Sequence, residues 1–162
     1  MIVRNKENIT SLEIKTVFPE LLDNVFAFVT NPVNYPEIHP LITKVVKRNN
    51  HHYLCFETSY IFLIPYPFHY WVRVSRNLDD GSVIMKSDLQ NGLKIALTFF
   101  KNQGFITEKI NIEGPCIPRK LLAMKMKKVH LKMFKNLKTL LHQNRIPETS
   151  NSWTIQVIKS NF

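Results

Sequence analysis

The sequence predicts an α+β domain: a curved antiparallel sheet of about seven strands wrapped around one long C-terminal helix, with two short helices after the first strand. Two observations carry this. Between residues 41 and 112, apolar and polar residues alternate in short runs separated by turn signals, as in strands buried on one face. From about residue 118 to 143 the period lengthens. Leu122, Met126, Val129, Met133, Leu137 and Leu140 then fall on one stripe at about 100° per residue. So long an apolar stripe needs an equally long apolar surface to cover, and only the sheet offers one.

Residues 9–18 read as the first strand, with Ile9, Leu12, Ile14 and Val17 in loose alternation. Pro19 opens a helix at a favoured early position, with Glu20 in its first turn and Leu22, Val25, Phe26 and Val29 on one face. Thr30-Asn31-Pro32 ends it, because a proline disfavours helix in the residue before it. A second short helix starts at Asn34-Tyr35-Pro36-Glu37 and stops at His39-Pro40. Strands are expected over 41–48, 53–60, 68–76, 83–89, 93–100 and 105–112. In 53–60 the even positions, Leu54, Phe56, Thr58 and Tyr60, are expected to face inward. In 68–76 the inward set is Phe68, Tyr70, Val72 and Val74. Residues 61–67, with Ile61, Phe62, Leu63, Ile64 and Tyr66, read as an apolar loop broken by Pro65 and Pro67. Asp79-Asp80-Gly81 and Asn91-Gly92 are hairpin turns. Gly114-Pro115 ends the sheet before the long helix.

Residues 1–143 form the main domain. Residues 144–162 form a tail, linker-like over 147–152 and weakly alternating over 153–158, where an extra strand would form if a sheet edge took it. With 162 residues, 44% hydrophobic and 21% charged, the chain is long enough for its own core. Only 4 glycines are present and no phosphate-cradling string occurs, which argues against nucleotide binding by those routes.

The formal net charge is +10, concentrated on the outer arc of the terminal helix at Lys120, Lys125, Lys127, Lys128, Lys132, Lys135 and Lys138. A solvated face is the simplest reading. Transient contact with an anionic membrane, through this helix and the 61–66 segment, is the next. Nucleic acid ranks behind both, because the lysines are not interleaved with exposed aromatics. Cys55 and Cys116 show no metal spacing, and Cys55 reads as a small core residue. No signal peptide, membrane span, metal site or cofactor is expected, and the expected location is cytoplasmic.

The candidate site residues lie on the inward faces. Glu108 shares a strand face with Ile106, Ile110 and Ile112, so a carboxyl group stands in an apolar wall. Burial there raises its pKa and makes it a proton donor or a ligand anchor; the bland alternatives are an edge position, a bulge or a structural ion pair. His130, at the edge of the helix stripe, is its candidate partner. Counting outward from the Gly114 turn, Glu108 lies nearer Met126, with His130 within reach of long side chains. Phe56, Tyr60, Phe68, Tyr70 and Phe99 supply apolar area for a ligand, the tyrosines adding a polar tip. Met124, Met126 and Met133 add adaptable surface. The bland reading of each ring is core filling.

The element order resembles that of the START-like, helix-grip superfamily, which includes pollen-allergen-type proteins, polyketide cyclase-like proteins and lipid-transfer domains. The likeness rests on the opening strand, on the run from Val25 through Phe28, Asn31-Pro32 and Tyr35-Pro36 to His39-Pro40, on residues 106–118, and on the terminal helix. It spans about residues 9–143. It implies a deep cavity between sheet and helix, and binding of a hydrophobic molecule such as a lipid, sterol, quinone or polyketide. A minority of members are cyclases or dehydratases, and the fold alone does not choose among them. Three readings follow in order: a carrier or sensor of a hydrophobic small molecule, a cyclase/dehydratase-type enzyme in the same cavity, and a basic-surface or nucleic-acid-binding module.

Overall fold

A computed structural model describes residues 3–6, 8–18, 22–61, 64–89, 92–143 and 145–146. The period-2 segments form strands β1 (Val3–Lys6), β2 (Ile9–Val17), β3 (Ile42–Lys47), β4 (His52–Ile61), β5 (Ile64–Arg76), β6 (Val83–Asp88), β7 (Lys94–Asn102) and β8 (Phe105–Glu113). All pair antiparallel in one sheet, in the order β1-β2-β8-β7-β6-β5-β4-β3. Strands β3 to β8 make a meander, and β2 closes beside β8 with Ile14 opposite Glu108. The sheet exceeds the expected seven strands by β1, a four-residue edge strand paired with β2. Its run, Val-Arg-Asn-Lys, is too polar to announce a strand by alternation.

Helix α1 (Leu22–Val29) buries Val25, Phe26, Phe28 and Val29. The expected start at Pro19 lies outside the described residues. The Thr30 hydroxyl donates to Phe26 O at 2.7 Å, satisfying a carbonyl the helix end leaves open. A 3-10 turn (Pro32–Asn34) follows, with Asn31 accepting from Val33 N, and then α2 (Tyr35–Ile38). This segment carries the chain from β2, near one edge of the sheet, to β3 at the other.

Helix α3 (Cys116–His142) lies over the same face. Its expected stripe is buried at Val129, Met133, Leu137 and Leu140, joined by Ala123, His130 and Phe134. The C-terminal half packs on β2 and β8, where Leu12, Ile14, Ile106 and Ile110 meet Met133 and Leu137 in one core. Asn136 donates to Ile38 O at 2.7 Å, tying α3 to α2.

Two sequence expectations fail at the β4–β5 hairpin. Residues 64–67 are not loop but the start of β5, with Pro65 opposite Tyr60 and Pro67 opposite Thr58. Because β6 pairs only with Arg73–Arg76, this half of β5 has a free edge. Prolines, which lack a donor, are tolerated there. The inward face of β4 also holds the odd positions, not the even ones. Tyr53, Cys55 and Glu57 are buried, while Phe56 lies on the outer face against His69, with the Lys44 ammonium 5.8 Å from its ring. Register decides this: Cys55 faces Tyr70 and Glu57 faces Phe68, so these pairs share a side of the sheet. The tail over 153–158, and Asn91 of the expected Asn91-Gly92 turn, lie outside the described residues.

Candidate functional site

Where the C-terminal half of α3 sits on β2 and β8, its N-terminal half stands over β4 to β7 without filling the gap. The resulting pocket is lined on the sheet side by residues such as Cys55, Phe68, Val72 and Leu97, and on the helix side by Leu122, Met126 and Val129. Counted out through the mouth, the empty space between the walls is about 710 Å³, but the part a water-sized body fits is about 60 Å³. That holds a few waters at about 10–15 Å³ each. It falls well short of the roughly 300–1,000 Å³ typical of small-molecule sites. The deep cavity implied by the sequence resemblance is therefore a narrow, open-mouthed cleft. Its wall residues Phe68, Tyr70, Leu97, Leu122 and Met126 are only partly buried.

Two polar clusters stand in this apolar setting. At the inner end, His130 lines the cleft and its Nδ1 lies 2.7 Å from Glu108 Oε1. Glu108 is fully buried, flanked across the ladder by Ile14 and Phe99. Its second oxygen, Oε2, has no hydrogen-bond partner among the described residues. With Glu108 as a carboxylate, the Nδ1–H donates to it and Nε2 is the ring nitrogen left for the cleft. The His39 ring meets His130 edge-on, with centroids 5.6 Å apart, and stacks on Tyr35 at 6.1 Å. His39 Nδ1 accepts from Ile42 N at 3.1 Å, which fixes it as an acceptor. Burial, then the neighbouring His130 and Lys125, hold the His39 pKa well below its usual value. Tyr35 donates to Met85 Sδ at 3.3 Å, and burial and Glu108 push its phenol well above the usual range.

The second cluster sits at the mouth. Glu57 accepts from Lys125 Nζ at 2.7 Å, from Ser59 Oγ at 3.1 Å and from Tyr70 OH at 3.3 Å. Lys125 also donates to Ser59 and lies 5.5 Å from the Phe68 ring centroid. This side chain thus bridges α3 to the β4–β5 hairpin across the opening. Burial, then Glu57, raise the Tyr70 pKa well above the usual value. Burial with Glu57 pushes the Cys55 thiol up to about 12.

Of the residues singled out from sequence, Phe68, Tyr70, Met126 and His130 line the cleft. Glu108 stands directly behind His130. Phe99 and Met133 are fully buried in the core, off the lining. Phe56 is on the wrong face, Met124 is exposed, and the side chain of Tyr60 lies outside the described residues. Lys125 leaves the solvated arc for the cleft. Glu57, His39 and Tyr35 were missed. A signal for Glu57 existed, since it shares a strand face with Cys55, itself expected in the core. Among the described residues, no group of three or more His, Cys, Asp or Glu side chains is placed to hold a metal ion. No helix there is long and apolar enough to cross a membrane.

A single antiparallel sheet closing on one long helix, with an apolar cleft between them, defines an α+β architecture. More particularly, the chain has the helix-grip fold. Neither a protein-family model nor a curated protein sequence matches it. Solved structures do. The di-domain ARO/CYC StfQ from the steffimycin biosynthetic pathway matches over 85% of this chain and 52% of its own, at 10% identity and TM-score 0.62. This chain thus spans about half the length of that protein. A STAR-related lipid transfer protein from Xanthomonas axonopodis matches over 87% of this chain and 92% of its own, at 14% identity and TM-score 0.58. A START superfamily protein from Mycobacterium smegmatis matches over 85% and 99%, at 10% identity and TM-score 0.58. At such identities the likeness defines the fold and leaves the function to the site.

Proposed function

We propose that this protein binds a hydrophobic small molecule, of the lipid, sterol, quinone or polyketide-like classes, in the cleft between α3 and strands β4 to β7, and carries or senses it in the cytoplasm. The observation that carries this reading is the cleft's chemistry: an apolar lining with a few converging polar groups, as small-molecule sites have. Phe68, Leu97, Leu122 and Met126 take the apolar body; Tyr70 and Lys125 meet a polar end at the mouth. The narrow interior makes the ligand wedge the walls apart. Met126 is suited to this, being unbranched and adaptable. Native mass spectrometry of freshly purified protein, followed by extraction, tests the reading. A stoichiometric apolar molecule supports it; no bound molecule, together with no uptake of fluorescent fatty-acid or sterol probes, overturns it.

The Glu108–His130 contact favours a second reading, an enzyme of cyclase or dehydratase type. An imidazole held by a buried carboxylate can take a proton from carbon next to a ligand carbonyl and return it to a leaving hydroxyl. The solved-structure likeness to an ARO/CYC protein is compatible with this. Glu108→Gln separates the two readings: lost turnover with ligand affinity intact indicates proton transfer, and lost affinity alone indicates a binding role.

A further inference from the structure

The outer face of α3 is not uniformly cationic. Its first turns expose Ile117 (74%), Leu121 (63%) and Met124 (70%), spaced i, i+4 and i+7 and therefore on one face, opposite the buried stripe. Leu131 continues the row two turns on. An apolar row on the solvent side of a helix whose other side is already buried has no use within the described fold. Across the cleft mouth, the β4–β5 hairpin exposes Ile64 (69%) and Tyr66 (56%), the latter stacked on Phe68. Lys125, one turn from Leu121, links the two apolar rims.

The surroundings of this row select its partner. Lys120, Lys127, Lys128, Lys132 and Lys135 are exposed around and beyond it, and α3 contains no acidic residue. Apolar side chains set among cations on one helical face fit an interface with hydrocarbon beneath and negative charge above it. We propose that this face of α3, together with the β4–β5 hairpin, docks the cleft mouth onto an anionic phospholipid surface. Leu121, Met124 and Ile117 enter the headgroup boundary, and the lysines lie over acidic headgroups. The docking does not depend on what the cleft holds, and applies equally to a carrier and to an enzyme acting on an apolar substrate.

The test uses the full chain and sedimentable vesicles of phosphatidylcholine, with or without phosphatidylserine, at about 0.15 M salt. Binding to the anionic vesicles is expected to be at least about tenfold tighter than to neutral ones, and to weaken as salt rises. The triple variant Ile117→Asn, Leu121→Asn, Met124→Asn alters no charge and no buried side chain. With far-ultraviolet dichroism unchanged, it is expected to lose at least about tenfold in vesicle affinity. Three results overturn the proposal: no vesicle binding by the parent chain, equal binding to neutral vesicles, or a triple variant that binds as the parent does. If sedimentation instead shows that the parent self-associates without binding vesicles and the triple variant is monomeric, the face joins two copies and the proposal fails. Native mass spectrometry of the same variant keeps cleft occupancy separate from docking.

Discussion

His130 Nδ1 lies 2.7 Å from Glu108 Oε1, and this contact, between residues 22 positions apart, ties the middle of the terminal helix to β8 inside the core. Both side chains are essentially inaccessible to solvent. Such a pair is costly to bury and costlier to break, because removing one partner strands the other in an apolar wall. His130→Ala or Glu108→Ala is therefore expected to destabilise the fold by about 3–5 kcal/mol. The double variant Glu108→Leu, His130→Leu removes both polar groups and is expected to lose clearly less than either alanine variant. Urea unfolding measures all three. A double variant at least as unstable as either alanine variant would show that the loss comes from packing and not from a stranded polar group.

A second prediction concerns pH. Unfolded His39 takes up a proton near pH 6.5, whereas folded His39, buried and beside His130 and Lys125, does so only well below that. The stability this contributes is complete above about pH 6.5 and drains away as pH falls toward the folded value, by up to about 1.4 kcal/mol per unit. The melting temperature is expected to fall between pH 7 and pH 5. In His39→Asn, whose side-chain oxygen can still accept from Ile42 N, that fall is expected to flatten. An unchanged slope would assign the loss to other groups.

These two contacts mark what the sequence could and could not reveal. Element order, the long helix and its buried stripe were legible because they rest on periodicity, and the wall position of Glu108 followed from alternation along one strand. Its partner was harder. Counting from the Gly114 turn pointed nearer to Met126, whereas the residue that meets Glu108 is His130, about one turn later along α3. The inward face of β4 was misread because both faces carry apolar residues, Phe56 on one and Cys55 on the other. Only the pairing of Cys55 with Tyr70 and Glu57 with Phe68 resolves them. Alternation from Cys55 offered Glu57 as an inward residue, but no linear pattern gives the strand pairing or the helix that faces it, so the Glu57–Lys125 bridge stayed hidden.

The two cysteines are expected to differ sharply toward alkylating reagents. Cys55 is buried, with its thiol pushed up to about 12, while Cys116 is exposed at the start of α3. At pH 8 only about one Cys55 thiol in ten thousand is ionised, and the thiolate is the reactive form. Iodoacetamide on the folded protein is expected to modify Cys116 alone, with Cys55 reacting after denaturation. Peptide mass mapping reads this directly. Rapid labelling of Cys55 in the native protein would mean that the β4–β5 wall opens readily.

The last prediction rests on the turn that aims α3. Gly114 joins β8 to the helix at φ 139°, in a region that side chains rarely enter. A Cβ there would stand 2.9 Å from Leu93 Cδ2 and 3.0 Å from the Gly92 carbonyl oxygen. The leucine can move; the backbone oxygen cannot without shifting the approach to β7. Gly114 O also accepts from Arg119 Nη1 at 3.2 Å, and Gly114 N donates to Asn8 O at 3.2 Å, so the residue links the helix start to the turn before β2. Gly81, by contrast, has φ 67° and nothing within 4 Å of its Cβ position. Gly81→Ala is expected to cost about 1–2 kcal/mol, the penalty of the left-handed conformation alone. Gly114→Ala adds steric conflict to conformational strain and is expected to cost at least about 3 kcal/mol. Thermal unfolding of the two variants side by side gives the ordering. Equal losses would mean that the Gly92–Leu93 segment yields freely and that the turn does not fix where the helix sets down over the cleft.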